Sequence, residues 1–165
     1  MELRDSTFTS NRGGGVVRVE GGTATLTRLT FRDNTGGSNA LVLGADMHCF
    51  SNADVTISEC RFSNSRGGTG DGMDSGALNV MGGANCRVLD STFEDAYSEG
   101  DGGSVVVTGS NAEFIRTTFR RSEAAGRGGI AAIKDESTAL FLQCELRNGV
   151  AGAMGGIYIA SNNVA

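Results

Sequence analysis

The residues able to do chemistry are few and gathered in a handful of places. Two acidic turns read Gly70-Asp71-Gly72-Met73-Asp74 and Glu94-Asp95-Ala96-Tyr97-Ser98-Glu99-Gly100-Asp101. Carboxylates at that density are hard oxygen donors, the ligand type that calcium takes, so Asp71, Asp74, Glu99 and Asp101 are the candidate metal ligands. Their spacing follows neither the twelve-residue calcium loop nor the Gly-Asp nonapeptide repeat. His48 and Cys49 stand side by side but lack the further ligands that zinc requires, and Cys49 has no identifiable base or orienting group to make it a nucleophile. The rest of the inventory is thin: one His, no Trp, and a single Lys, Lys134, among 14 basic residues. General acid–base catalysis draws on such groups, so the composition leans away from an enzyme, and no catalytic or cofactor-binding residue is assigned.

These candidates must be positioned by some framework, and the chain advertises one through self-similarity. An aromatic preceded by a mostly polar pair recurs at Phe8, Phe31, Phe62, Phe93 and Phe119, with Leu146 in the sixth place, at intervals of 23, 31, 31, 26 and 27 residues. A small-residue pair leading into an apolar run recurs beside it, at Gly14-Gly15-Val16-Val17-Arg18-Val19, Ser38-Asn39-Ala40-Leu41-Val42-Leu43, Ser75-Gly76-Ala77-Leu78-Asn79-Val80, Gly102-Gly103-Ser104-Val105-Val106-Val107, Gly128-Gly129-Ile130-Ala131-Ala132-Ile133 and Gly155-Gly156-Ile157-Tyr158-Ile159. Within each unit the apolar residues alternate, as in Val55, Ile57 and then Cys60, Phe62, which is the period of a strand. The step of three between the pairs breaks the alternation and marks a bend. Short strands, sharp bends and no helical period predict an all-β fold, a right-handed parallel β-helix of about six coils spanning residues 1–165 as a single domain.

The predicted core is a set of columns. One runs Phe8, Phe31, Phe62, Phe93, Phe119, Leu146; a second Leu26, Ile57, Val88, Phe114, Phe141; a third Val19, Leu43, Val80, Val107, Ile133, Ile159. Composition agrees, with 26 Gly and no Pro in 165 residues. Corners need backbone angles that Gly adopts freely, and Pro would delete a ladder donor. Stacking also offers a plain use for the acidic turns. Glu94 and Asp95 should lie one rung below Arg120 and Arg121 and form cross-rung ion pairs.

The outward positions are where partners would bind. Thr25, Thr56, Arg87, Glu113 and Leu140 make one outer column, and Thr27, Ser58, Leu89, Ile115 and Leu142 the next. The face turns from hydroxyl to aliphatic along the rod, which makes Leu89, Ile115, Leu140 and Leu142 the candidate partner-binding residues. The other strand presents Arg18, Val42, Asn79, Val106, Ala132 and Tyr158, and does not look catalytic. Cys60 and Cys144 share a column three rungs apart, roughly 14 Å, beyond disulfide reach. Cys60, Cys86 and Cys144 read as small buried apolar residues, and Cys49 falls in a long loop. Four unpaired thiols fit a reducing compartment.

The boxes Phe8-Thr9-Ser10-Asn11 and Phe31-Arg32-Asp33-Asn34, with the Gly-Gly-aliphatic box at Gly14, Gly102 and Gly128, resemble the polymorphic outer-membrane protein repeats of chlamydiae and, more loosely, the pectate-lyase-like β-helix superfamily. The resemblance covers nearly the whole chain and fades where Phe93 and Phe119 lack the following Asn. It implies a passenger segment of a secreted or cell-surface protein, with adhesion or display as its role. The expected function is therefore a non-catalytic scaffold that binds protein partners, or sits in a larger assembly, through its side and its ends. The alternative is a carbohydrate-binding module or a polysaccharide lyase or hydrolase. A net charge of −5 argues against nucleic acid, no apolar run is long enough for a membrane span, and no signal peptide opens this segment. Both termini fall next to core columns, so the chain is expected to be a fragment of a longer protein or a subunit whose ends are covered.

Overall fold

The computed structural model describes residues 1–37, 44–68 and 75–160. Strands follow one another in six rungs. The first holds β1 (Glu2–Arg4), β2 (Thr7–Thr9) and β3 (Val17–Glu20), and the second β4 (Thr23–Thr27), β5 (Thr30–Arg32) and β6 (Met47–Phe50). The third holds β7 (Asp54–Ser58), β8 (Arg61–Ser63) and β9 (Leu78–Met81), and the fourth β10 (Asn85–Leu89), β11 (Thr92–Glu94), β12 (Tyr97–Ser98) and β13 (Val105–Thr108). The fifth holds β14 (Asn111–Ile115), β15 (Thr118–Arg120), β16 (Glu123–Arg127) and β17 (Ala131–Lys134), and the sixth β18 (Thr138–Leu142), β19 (Glu145–Arg147), β20 (Val150–Ala153) and β21 (Ile157–Ala160).

Each strand hydrogen-bonds to its counterparts one rung away, always in parallel. The first sheet is β1-β4-β7-β10-β14-β18, the second β2-β5-β8-β11-β15-β19 and the third β3-β6-β9-β13-β17-β21, with a short fourth sheet β12-β16-β20. Below the fourth sheet, single bridges from Arg12 to Thr35, Thr35 to Arg66 and Arg66 to Tyr97 carry its line toward the first rung. A coil on its own has one apolar side and nothing to cover it. Stacking buries that side against identical positions above and below.

The Phe column stands as expected. Ring centroids are 5.1, 4.9, 4.4 and 5.0 Å apart from Phe8 to Phe119, and Leu146 lies over Phe119 in register. Phe31, Phe62, Phe93 and Phe119 are fully buried. The spacing follows the rung repeat, so offset stacking comes with the parallel ladder. The second column runs Leu26, Ile57, Val88, Phe114, Phe141 in register, with Leu3 below it.

The third column departs from expectation at one place. Val19 pairs with Cys49, and Cys49 with Val80, so the second-rung strand is Met47-His48-Cys49-Phe50. Leu43 and Val42 are not in it and lie outside the described residues. Cys49 is consequently a core residue, not a loop residue. The run Ala40-Leu41-Val42-Leu43 imitates the apolar pattern of the strand, which is why it attracts the assignment. A better signal was spacing: in every rung the third-sheet strand stops two or three residues before the next first-sheet strand begins.

Glycine takes the left-handed region as expected at the corner between the third and first sheets, at Gly21, Gly22, Gly82, Gly83 and Gly109, but it does not serve every corner. The two regular corners are held by left-handed residues that are not Gly: Asp5, Arg28, Glu59, Asp90, Arg116 and Gln143 at one, and Ser10, Asp33, Asn64, Asp95, Arg121 and Asn148 at the other. Polar side chains tolerate that region and can pair along the edge. Gly103 and Gly129 have a further task, which is closeness. A Cβ on Gly103 would sit 2.1 Å from the Gly129 carbonyl oxygen, and one on Gly129 would sit 2.4 Å from that of Gly155.

Candidate functional site

The outer face of the first sheet is built as the alternation required. Arg87 lies between Thr56 and Glu113, and Glu113 beneath Leu140; Leu89 lies between Ser58 and Ile115, and Ile115 beneath Leu142. Inward neighbours Val88 and Phe114 are fully buried, which fixes the register of the face. Leu140 and Leu142, two residues apart on β18, are 46% and 47% exposed. Leu89 is half-buried. Ile115 is only 8% exposed, so it forms the floor of the aliphatic patch and Leu140 and Leu142 its reachable part.

Beside the patch lies a shallow polar groove of about 210 Å³, lined by Asp54, Asn85, Cys86, Arg87, Asn111 and Glu113. Arg87 and Glu113 pair at 3.2 Å with both side chains about half exposed. The Asn111 amide donates to Asn85 Oδ1 at 3.0 Å across one rung. Groups so open to water are strongly screened, so this pairing adds little to stability. They remain available to a ligand.

The acidic turns divide. Asp71 and Asp74 lie outside the described residues. Glu99 is exposed, whereas Asp101 is buried and occupied: the Arg127 main chain donates to it at 2.8 Å, the Arg127 guanidinium at 3.2 Å and Lys134 Nζ at 3.1 Å. Burial works to raise the Asp101 pKa, but these donors outweigh it and hold the carboxyl below its ordinary value. Among the described residues no group of three or more His, Cys, Asp or Glu side chains is arranged to hold a metal. Glu94 and Asp95 do what stacking required of them. Arg120 Nε donates to Glu94 at 2.8 Å, Arg61 also pairs with Glu94, and Arg121 binds both oxygens of Asp95 at 2.6 and 2.8 Å. Hydrogen bonding from Arg121 lowers the Asp95 pKa.

The outer face of the third sheet carries His48, not Val42, between Arg18 and Asn79. Its middle four positions are covered rather than open, with His48, Asn79, Val106 and Ala132 at 5%, 1%, 2% and 0% exposure, while Arg18 at one end is exposed. His48 Nε2 accepts the Gly44 N–H at 2.6 Å. Burial, with the Arg18 charge as the lesser cause, lowers its pKa to about 4, so the ring is neutral. Both amide atoms of Asn79 lack a hydrogen-bond partner among the described residues. At the other end, Arg127 stacks on Tyr158 with 4.3 Å to the ring centroid.

One ionisable group escaped the sequence reading altogether. Asp46 is fully buried beside Asn34 and Ser65. Its carboxyl accepts from Asn34 Nδ2 at 2.8 Å and from the Ser65 hydroxyl, and Asn34 Oδ1 in turn accepts from the Asn11 main chain and side chain at 2.9 Å. Burial pushes the Asp46 pKa up to about 7, against those two hydrogen bonds. Its signal was indirect, an acid just ahead of the true strand where later rungs have Ala77, Ser104 and Ile130.

No helix among the described residues is long and apolar enough to cross a membrane. No curated protein and no solved structure matches the chain significantly. The family model described as the right handed beta helix region matches residues 1–165. With a parallel solenoid of six rungs and a match over its whole length, this chain belongs to the right-handed β-helix family.

Proposed function

We propose that the chain is a non-catalytic β-helix scaffold that binds a protein partner through the outer face of its first sheet, with the ends of the rod as further contacts. The exposed pair Leu140 and Leu142 carries this reading, with Ile115 under Leu142 and Leu89 one rung further down. Aliphatic area on one flat face gives a partner a hydrophobic centre, and Arg87 and Glu113 at the margin supply a polar rim. The test is native mass: the chain isolated under mild conditions should travel well above its own 17.0 kDa. The double substitution Leu140→Asp, Leu142→Asp should return it to that mass with its strand content unchanged. Wild-type chain that runs as a 17.0 kDa monomer at source concentration contradicts the reading.

The groove lined by Asp54, Asn85, Arg87, Asn111 and Glu113 favours a second reading, carbohydrate binding or polysaccharide cleavage. Acids, amides and an Arg in a row along a rod suit a linear acidic glycan. Saturable binding of an acidic polysaccharide that Arg87→Ala abolishes would establish it. Absence of binding in the wild type removes it.

A further inference from the structure

Cys49 and Cys86 come from different rungs and different sheets, yet they meet inside the core. Cys49 points inward from β6 with 0% exposure, and Cys86 inward from β10 with 3%. Their sulfurs are 3.9 Å apart although 37 residues separate them in sequence. Each is flanked above and below by aliphatic residues, Cys49 by Val19 and Val80 and Cys86 by Val55 and Ala112. The other two thiols do not compete. Cys60 Sγ lies 3.2 Å from the Ser58 carbonyl and Cys144 Sγ 3.1 Å from the Phe114 carbonyl, three rungs apart in the corner column.

We propose that Cys49 and Cys86 form an intramolecular disulfide across the core, the oxidant being a small-molecule disulfide such as oxidised glutathione. A disulfide bond is about 2.05 Å long, so each sulfur has to move by roughly 1 Å, a matter of side-chain rotation within a stacked frame. One thiolate attacks the small disulfide, releasing one glutathione thiolate and leaving a mixed disulfide. The second thiolate then attacks the protein sulfur of that mixed disulfide and releases the second glutathione thiolate. The two protons from the cysteines end on the two glutathiones, so two thiols are oxidised and one disulfide is reduced. The neighbouring Cys49 thiol, and then burial, push Cys86 well above the ordinary thiol range. The folded core therefore suppresses the reactive thiolate, and the bond forms during folding or local opening. Once formed, it ties the third sheet to the first over rungs two to four and restricts the unfolded chain.

The experiment is to refold the full chain either in dithiothreitol or in a mixture of oxidised and reduced glutathione, then count thiols in denaturant by maleimide mass tagging. The reduced sample should show four. The oxidised sample should lose the two at Cys49 and Cys86, with peptide mapping linking those residues, and its melting temperature should rise by roughly 5–15 °C. Retention of every thiol, or a link that uses Cys60 or Cys144, overturns the proposal. Cys86→Ala keeps a small apolar side chain beside Val55 and Ala112 and should show no rise on oxidation. A rise that persists in this variant also overturns the proposal.

Discussion

The first three rungs and the last three share one backbone plan and fill it with different chemistry. At the corner between the second and third sheets, the lower rungs bury Asn34, Asp46 and Ser65 in a hydrogen-bonded group around a carboxyl. The equivalent corner higher up holds Ser104 and Ser122, whose hydroxyls lie 2.6 Å apart. On the outer face of the first sheet the lower rungs show Thr25, Thr27, Thr56 and Ser58, and the upper ones Leu89, Ile115, Leu140 and Leu142. The difference teaches that a parallel ladder specifies geometry and leaves polarity to the individual rung, provided each buried polar group finds its partner. The buried acid of the lower half is held by Asn34 and Ser65, whereas Glu94 and Asp101 of the upper half are held by Arg and Lys, and the more aliphatic outer face belongs to the upper half.

The sharpest way to break this comparison is at the close-packed glycines of the upper half. Gly129→Val places side-chain atoms against the Gly155 carbonyl, and thermal unfolding should show a loss of more than about 3 kcal/mol. A melting temperature within a few degrees of wild type would mean the upper rungs have slack. Next comes the buried acid of the lower half. Asp46 has a folded pKa near 7 against an ordinary value of 3.8, so the folded state holds its proton more tightly than the unfolded one. That contribution is full below pH about 4 and is lost as pH rises through about 7. Asp46→Asn mimics the protonated acid and should gain a few kcal/mol over wild type at pH 8, on the order set by a shift of that size, with the gain vanishing near pH 3. His48 titrates in the opposite sense, losing stability as pH falls from 6.5 toward 4, but it is common to both proteins and cancels in their difference. A pH-independent difference would show that Asp46 is ionised in the fold.

Two smaller effects sharpen the outer-face half of the comparison. Ile115→Asp puts a charge on a position only 8% exposed and should cost about 1–3 kcal/mol, whereas Leu142→Asp should stay within about 0.5 kcal/mol. Equal costs would mean that Ile115 is as accessible as its neighbour. Smallest of all is Asp90→Asn at the exposed corner. It removes a two-pronged pair with Arg116 at 2.6 and 2.7 Å, yet the melting temperature should hardly move, because water screens the pair. A large drop would make the corner ladder a principal support of the rod.

Much of this was legible beforehand, for a definite reason. In a solenoid, residues one repeat apart become neighbours, so a periodic sequence announces its own contacts. The Phe column, the Leu26 to Phe141 column, the outer columns of the first sheet, the Arg87 and Glu113 pairing and the ladder from Glu94 and Asp95 to Arg120 and Arg121 all follow from that rule. Legibility failed where the repeat was interrupted. The second unit is 31 residues long where the first is 23, and its extra residues include an apolar run that resembles a strand. With the strand misplaced, His48, Cys49 and Asp46 lost their addresses together.

The sequence by itself determined the architecture, because the alternation of apolar residues sets the faces and the repeat interval sets the stacking. It also determined which side chains meet along a column. The tertiary structure alone decided what meets across the core and how exposed each group is. Cys49 beside Cys86, Asp46 beneath Asn34 and Ser65, and Ile115 sunk below Leu142 depend on how coils close around the interior. Closure is a property of the corners, whose lengths vary from unit to unit, and no period in the chain records it.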